Sequence, residues 1–264
     1  MKSEVGSRPW SSAAGQCAAT LLFALSMFVA PHAQAQDDDA KKILKSMSDY
    51  VASQKNITAT YDSDIEVVTS DLQKIQFTSS GQLQVSRPDK VHATRTGGYT
   101  DVEFFFDGKT FTFYGKHLNA FAQSQSAGSI DQLVERLRGE YSVEAPGADL
   151  LLSNVYDKLI ADVTDAKHIG LGVIDGVECE HLAFRDLDVD WQIWIETGAR
   201  PIPRKYVITS KAVTGGPQYT LRIKDWKTDA TVADAFAFKP PAGAKKVEFK
   251  ELADVDEVPA GVAK

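Results

Sequence analysis

The sequence predicts an α+β fold, with an antiparallel sheet of about ten or eleven strands and about three helices. Residues 173–210 contain three β-type runs with short connections, which favours consecutive antiparallel strands. Apolar residues fall on alternate positions in two runs, over residues 57–67 and 75–85. Two helical patterns lie next to each other in the middle of the chain, and they interrupt the series of strands there. Strands in runs, with the helices kept apart from them, are typical of α+β rather than βαβ proteins.

The first 35 residues have the features of a secretory signal peptide. Lys2 and Arg8 precede an uncharged apolar run over residues 17–30, and Ala33-Gln34-Ala35 matches an A-x-A cleavage site. The apolar run is shorter than the roughly 20 residues that a membrane-spanning helix needs. We therefore predict cleavage near Ala35, export to the periplasm and no transmembrane segment in the mature chain.

Charge and cysteine content limit the classes of partner. Cleavage after residue 35 would take the formal charge from −7 to about −8, because Lys2, Glu4 and Arg8 would be lost. An acidic chain without a cluster of lysines and arginines is a poor nucleic-acid binder. Cys179 would be the only cysteine left, which excludes an internal disulfide. Residues 36–250 have the length of one β-rich domain, and residues 251–264 are predicted to be a flexible acidic tail.

Periodicity and turn residues predict the elements of the first half. Helical spacing of apolar residues indicates an amphipathic helix over residues 40–55. Asp107-Gly108 between two aromatic runs is a strong hairpin signal. The strands predicted here cover residues 57–67, 75–85, 91–95, 102–106 and 110–114.

The second half is predicted in the same way. Ser129 and Gln132 form a capping box, which predicts a helix over residues 129–138. A second helix is predicted over residues 149–160, and residues 116–128 are predicted to be a loop. The remaining predicted strands begin at Ile169 and include residues 177–184, 191–195, 206–209, 218–226, 236–238 and 247–249.

Motifs for chemistry are weak throughout the sequence. Asp186, Asp188 and Asp190 resemble half of a calcium loop, but Trp191 replaces the required glycine. Cys179 and His181 share a strand face, and a buried thiol beside a hydrogen-bonded histidine is favoured over a metal site or a nucleophile. We predict no catalytic residue, no metal site and no cofactor. An enzyme remains a lesser alternative, because catalytic triads are set by geometry.

Apolar side chains on neighbouring strands and helices are the stronger signal. They could pack together as a filled core, or a curved sheet roofed by helices could leave an apolar cavity between the layers. The sequence leaves both alternatives open. The candidate ligand-binding residues are Tyr61, Phe77, Phe104, Phe106, Phe111, Phe113, Leu133, Leu137, Leu152, Val155, Leu159, Trp191 and Ile193.

Several motifs between residues 40 and 250 resemble a family of predicted periplasmic proteins related in fold to the outer-membrane lipoprotein carriers LolA and LolB. The motifs are Pro146-x-Ala148-Asp149-Leu150-Leu151, Gly176-x-x-Cys179-x-His181-Leu182-Ala183-Phe184, Asp190-Trp191-Gln192-x-Trp194-Ile195, Pro201-x-Pro203-Arg204-Lys205 and Phe236-x-Phe238-x-Pro240-Pro241-x-Gly243-Ala244. The resemblance implies a LolA-like fold, which is a curved antiparallel β half-barrel whose concave face is covered by helices.

The same resemblance implies a soluble periplasmic carrier that binds a lipid, a lipoprotein or another hydrophobic ligand without catalysis. The helices over residues 129–138 and 149–160 would form its lid. The carriers use a latching arginine, and no arginine of this chain is assigned that role. The alternative is an envelope sensor or scaffold that binds a protein partner through the same fold, since a fold does not fix a function.

Overall fold

The computed structural model describes residues 32–143, 145–228, 235–252, 258–259 and 262. Residues 1–31 of the predicted signal peptide, and most of the predicted tail, lie outside the described residues. The elements in chain order are α1 (His32–Ser53), β1 (Asn56–Val68), β2 (Lys74–Ser86), β3 (Lys90–Gly97), β4 (Asp101–Phe106), β5 (Thr110–Gly115), β6 (Ala120–Gln125), α2 (Ile130–Tyr141), a 3-10 turn (Ala148–Leu151), α3 (Val155–Ile160), β7 (Asp165–Ile174), β8 (Val177–Arg185), β9 (Val189–Glu196), β10 (Pro203–Ser210), β11 (Gln218–Lys227), β12 (Lys245–Lys246) and a 3-10 turn (Phe249–Glu251).

The described strands form one open twelve-stranded sheet. Its order is β12-β6-β5-β4-β3-β2-β1-β11-β10-β9-β8-β7. Consecutive strands are joined by short turns in two meanders, β1–β6 and β7–β11, and the antiparallel β1–β11 pair joins the two. The short β12 is the exception, because it runs parallel to β6. The predicted α+β half-barrel with three helices is therefore confirmed.

Strand register brings apolar side chains together in rows on the concave face. Ile57 of β1 pairs with Val85, which pairs in turn with Val91, Phe106 and Phe111 of the next strands. All five residues are buried. Because side chains alternate between the two faces of a strand, residues two positions away form parallel rows on the same face. Across the other meander, the corresponding row is Tyr206, Ile193 and Leu182.

The helices bury one side against this face. α1 places Ala40, Leu44, Met47 and Val51 at spacings of three and four residues, and all four are fully buried. It packs along β7 and β8. In α2, the Ser129 capping box predicted from the sequence is present, with both side-chain hydrogen bonds formed. α2 and α3 add Leu133, Leu137, Val155 and Leu159 to the same core, so the helices cover the concave face, as expected.

The predicted loop over residues 116–128 is wrong, because Ala120–Gln125 forms strand β6 beside β5. Its composition of alanine, serine and glutamine has low strand propensity. Ala122 lies opposite Phe113, and Ser124 lies opposite Phe111. These small side chains leave room for the two aromatic rings, so tertiary packing decides the structure of this segment.

The predicted second helix is broken. A 3-10 turn covers Ala148–Leu151, the chain is extended at Leu152 (φ −68°, ψ 161°), and α3 begins only at Val155. Asp131 of α2 accepts hydrogen bonds from the backbone N–H of Ser153 at 2.8 Å and from its hydroxyl at 2.6 Å. The extended break gives Ser153 the geometry for both bonds, so a long-range contact replaces the helical continuation.

The predicted strand over residues 236–238 is also wrong, because this segment is a turn. Phe238 packs on the convex face against Phe105, Tyr114 and Phe121, with ring centroids 5.0–5.6 Å apart. The chain then passes the sheet edge as β12. We call residues 235–252 the strap.

After passing the edge, the strap reaches the concave face. Phe249 packs against Phe111 at 5.3 Å and against Tyr141 at 4.8 Å. Leu252 is 4% exposed and belongs to the core. The strap therefore contacts both faces of the sheet around β6.

Candidate functional site: the concave face and its lid

The structure gathers most of the predicted ligand-binding residues, but it packs them together. Ten of the thirteen belong to one buried cluster, namely Phe106, Phe111, Phe113, Leu133, Leu137, Leu152, Val155, Leu159, Trp191 and Ile193. Phe104 packs against this cluster, and Tyr61 and Phe77 lie outside it. We call this part of the concave face the covered half.

Aromatic side chains close the covered half. Phe111 meets Tyr141 of α2 edge-on at 5.2 Å, and Phe249 of the strap fills the space beside both rings. The Tyr141 hydroxyl donates a hydrogen bond to Ser124 Oγ at 2.8 Å. Such edge-to-face contacts stabilise a packed interior beyond the area that they bury. A ligand could enter here only by displacing α2 or the strap.

We define the lid as α2, the 3-10 turn Ala148–Leu151 and α3. Its parts are held together by charged groups. The guanidinium of Arg138 donates two parallel hydrogen bonds to the Asp149 carboxylate, at 2.9 and 3.0 Å. Asp131 binds Ser153 as described above. Bidentate and charge-assisted hydrogen bonds of this kind are the stronger ones, so the lid is a connected unit.

Arg87 connects the sheet to the lid. It follows β2 directly, and its Nη1 donates hydrogen bonds to the carbonyl oxygens of Leu151 and of Leu152, the latter at 3.4 Å. Within the described part of the chain, Nε and Nη2 of Arg87 have no hydrogen-bond partner. Burial lowers the pKa of the Arg87 guanidinium, and the charge of Asp131 acts in the opposite direction. Sequence reasoning missed this role, because Arg87 is 64 residues away from Leu151.

The concave face continues beyond the lid into a cleft of about 280 Å³, lined by residues 76–79 of β2 and residues 97–100 of the β3–β4 turn. We call it the open cleft. Phe77 meets Tyr99 edge-on with ring centroids 5.6 Å apart, and Tyr99 is 59% exposed. The pairing of β2 with β3 ends at Ser79, so residues 74–78 extend past β3 and leave space beside them.

Buried hydroxyl groups lie next to this aromatic pair. Ser79 and Thr100 line the open cleft and are 6% and 1% exposed. Ser63 pairs with Ser79 across β1 and β2 and is 1% exposed. Its Oγ has no hydrogen-bond partner among the described residues. Because buried polar atoms normally have partners, the Ser63 hydroxyl is unused hydrogen-bonding capacity next to Ser79, which lines the cleft.

Tyr61 stands between the covered half and the open cleft. Its position in β1 lies between Ala59, which is in the core, and Ser63. The ring lies over Gly81 of β2, and the hydroxyl donates a hydrogen bond to the Thr94 carbonyl of β3 at 2.8 Å. A Cβ at Gly81 would overlap the Tyr61 ring and the Thr94 carbonyl. The glycine therefore permits Tyr61 to cross β2 and bridge three strands.

Cys179 and His181 were the residues that the sequence offered for a metal site or a nucleophile. No group of three or more His, Cys, Asp or Glu side chains in this part of the chain could hold a metal ion. Cys179 is fully buried, and burial raises the pKa of its thiol. His181 is hydrogen-bonded to Gln192 at 2.9 Å and stacks on Trp194 at 4.1 Å. These contacts agree with a structural thiol and a structural histidine.

None of the described helices has both the length and the hydrophobicity needed to cross a bilayer.

Solved structures show distant similarity. An uncharacterised conserved protein from Thermus thermophilus is 12% identical, with 80% of this chain and 99% of that chain covered and a TM-score of 0.48. LprF from Mycobacterium bovis is 10% identical over 76% and 99% of the two chains, with a TM-score of 0.46. A LolA superfamily protein from Nitrosomonas europaea is 11% identical over 75% and 97%, with a TM-score of 0.34. At these identities and scores they assign no ligand to this chain.

No curated protein matches the sequence. A family model described as "Predicted periplasmic protein (DUF2092)" matches residues 40–250, which is most of the chain and includes every motif from which the resemblance was stated. This chain therefore belongs to the DUF2092 family of predicted periplasmic proteins.

Proposed function

We propose that this protein binds the acyl chain of a lipid or lipoprotein in the periplasm and carries it without catalysis. One observation carries the proposal. The apolar concave face is covered by the lid at one end and opens at the other in a cleft with an exposed aromatic wall, formed by Phe77 and Tyr99. An acyl chain would lie along Phe77, and the hydroxyl of Ser79 in the wall of the cleft would bind a polar head group.

The size of the open cleft limits what it can hold as it stands. Its volume of about 280 Å³ is just below the range of roughly 300–1,000 Å³ typical of small-molecule sites. Burial of about ten methylene groups would contribute about 8 kcal/mol, which corresponds to a micromolar complex before ordering costs. A longer chain would have to continue past Tyr61 into the covered half, and that requires the lid to move.

Native mass spectrometry tests the proposal directly. The exported protein, purified without detergent, should carry a mass increment that is released by organic solvent and identified as a lipid. A protein that carries no lipid and binds no fluorescent acyl probe would contradict it. One stoichiometric protein partner in place of the lipid would instead support the sensor or scaffold alternative.

A tryptophan at Gly98 should block binding of an acyl probe. Gly98 lines the open cleft, and a Cβ at this position would meet no atom within 4 Å, so the backbone can carry a side chain there. We expect Gly98→Trp to weaken the binding of a fluorescent fatty acid at least tenfold, a loss of about 1.4 kcal/mol or more. Probe titration monitored by fluorescence measures the effect.

Gly139→Trp is the matched control. Gly139 is also exposed with no atom within 4 Å of an added Cβ, but it lies on the outer side of α2. It should leave probe affinity unchanged. Equal affinities of the two variants, with both folded by circular dichroism, would place the ligand elsewhere.

A further inference from the structure

The strap supplies the apolar side chains that fill one end of the covered half. Val247 and Phe249 pack against the core, and Leu252 belongs to it. The ring centroid of Phe249 lies 5.3 Å from that of Phe111 and 6.1 Å from that of Phe113. The charged residues between Val247 and Leu252 are exposed. The strap therefore turns a hydrocarbon side towards the covered half and a charged side towards solvent.

The strap is attached to the sheet by weaker contacts than those that hold the lid together. β12 has two residues, and both are exposed. The backbone N–H groups of Lys245 and Val247 donate hydrogen bonds to the carbonyl oxygens of Asn119 and Phe121, at 3.0 and 2.9 Å. These are neutral bonds at the edge of the sheet, whereas a bidentate ion pair joins the parts of the lid. Segments with exposed backbone hydrogen bonds open at the lowest cost, so the strap is expected to open before α2.

The space that Phe249 occupies lies in line with the open cleft. Gly97 lines the cleft, and Ala93 lies four residues away on the same face of β3, a distance of about 13 Å. Through β4, Ala93 shares a row with Phe113, which Phe249 contacts. An acyl chain too long for the cleft would therefore run along the concave face towards the position of Phe249.

We propose that the space filled by Val247, Phe249 and Leu252 is a second subsite, for the far end of a long acyl chain, and that the strap occupies it until such a ligand binds. This inference rests on the proposed function. Protein interiors tolerate few voids, and the exchange of strap side chains for a ligand chain keeps the covered half filled in both states. A short chain fits the open cleft with the strap in place. A long chain has to displace the strap, so the strap makes affinity depend on chain length.

Hydrogen exchange detects release of the strap in the unsubstituted protein. Saturation with fluorescently labelled palmitic acid should make the amides of Lys245 and Val247 exchange at least tenfold faster, because their hydrogen bonds at the β6 edge are lost. Labelled octanoic acid should leave both amides unchanged, and the amides of β10 should keep their protection with either ligand. Unchanged exchange of Lys245 and Val247 with palmitic acid bound would overturn the inference.

Replacing Phe249 by alanine tests whether the strap competes with the ligand. Phe249→Ala should raise the affinity for labelled palmitic acid at least tenfold and leave the affinity for labelled octanoic acid unchanged. Lys250→Ala is the matched control, because it removes an exposed side chain from the same 3-10 turn and should change neither affinity.

The two fatty acids separate the inference from the proposed function. If octanoic acid binds, and palmitic acid binds equally well with and without the Phe249 ring, the strap does not occupy a ligand subsite and the proposed function stands. If neither fatty acid binds to the unsubstituted protein or to Phe249→Ala, both proposals are overturned.

Discussion

Replacing Phe111 by alanine is expected to lower the free energy of unfolding by about 3–5 kcal/mol, the range measured for large aromatic residues in packed cores. Phe111 is fully buried. Its ring contacts Phe113 of the same strand, Tyr141 of the lid and Phe249 of the strap. The substitution therefore removes apolar contacts from three elements at once. Urea denaturation followed by tryptophan fluorescence measures the loss.

Leu187→Ala is the control, because it removes an apolar side chain that is 77% exposed. Its effect should stay within about 0.5 kcal/mol. A loss below about 1 kcal/mol for Phe111→Ala would contradict the tight packing of the covered half. So small a loss would mean that the covered half already contains empty space, which lets the neighbouring side chains rearrange around the missing ring. It would also move the expected ligand site from the open cleft to the covered half.

Local signals were enough to predict most of the sheet. The Asp107-Gly108 hairpin and the alternation through β1 and β2 are properties of adjacent residues, and the structure has strands there. β6 was missed because its strand structure depends on β5. Ala122 and Ser124 become strand residues by fitting against Phe113 and Phe111, and no local pattern carries that information.

The strap shows the opposite failure. Phe236 and Phe238 alternate with a small residue, as in a strand, and the segment was predicted to close the sheet. Phe238 instead packs across the convex face against the rings of Phe105 and Tyr114. Period-two spacing places two side chains on one side of the chain whether or not a neighbouring strand is present, so the pattern alone does not distinguish the two cases.

The candidate site was predicted by residue type but not by position. Phe106 and Leu133 were predicted to belong either to an apolar cavity or to a filled core, and both lie in the core. Which end of the concave face stays open depends on where the lid docks. That position is set by Arg87 and Asp131, each of which acts over many residues of sequence. Tyr99 follows Gly97-Gly98, and the sequence there predicted a turn but no role for Tyr99 in a binding site.

Replacing Arg87 by methionine is expected to loosen the lid with little change in global stability. The variant loses the hydrogen bonds to the Leu151 and Leu152 carbonyls, and bonds to a charged donor are worth about 1.5–3 kcal/mol each. It also removes a half-paired buried charge, whose desolvation opposes folding, and keeps an apolar side chain in place. Loss of the hydrogen bonds lowers the free energy of unfolding, and removal of the buried charge raises it, so the two effects oppose each other. The attachment of the lid depends on the hydrogen bonds alone and is expected to weaken.

Hydrogen exchange separates these effects. The amides of Leu152 and Ser153, bonded to Asp149 and Asp131, should exchange roughly tenfold to a hundredfold faster in Arg87→Met, while amides of β1 keep their protection. Arg200→Met is the control, because Arg200 is exposed in the β9–β10 turn. This substitution should change neither the exchange of the Leu152 and Ser153 amides nor that of the β1 amides. Unchanged exchange at Leu152 would show that Arg87 does not hold the lid. If exchange and the association of an acyl probe both become faster, lid opening is linked to entry of the ligand. A lid that opens more often admits a long chain past Tyr61 more often.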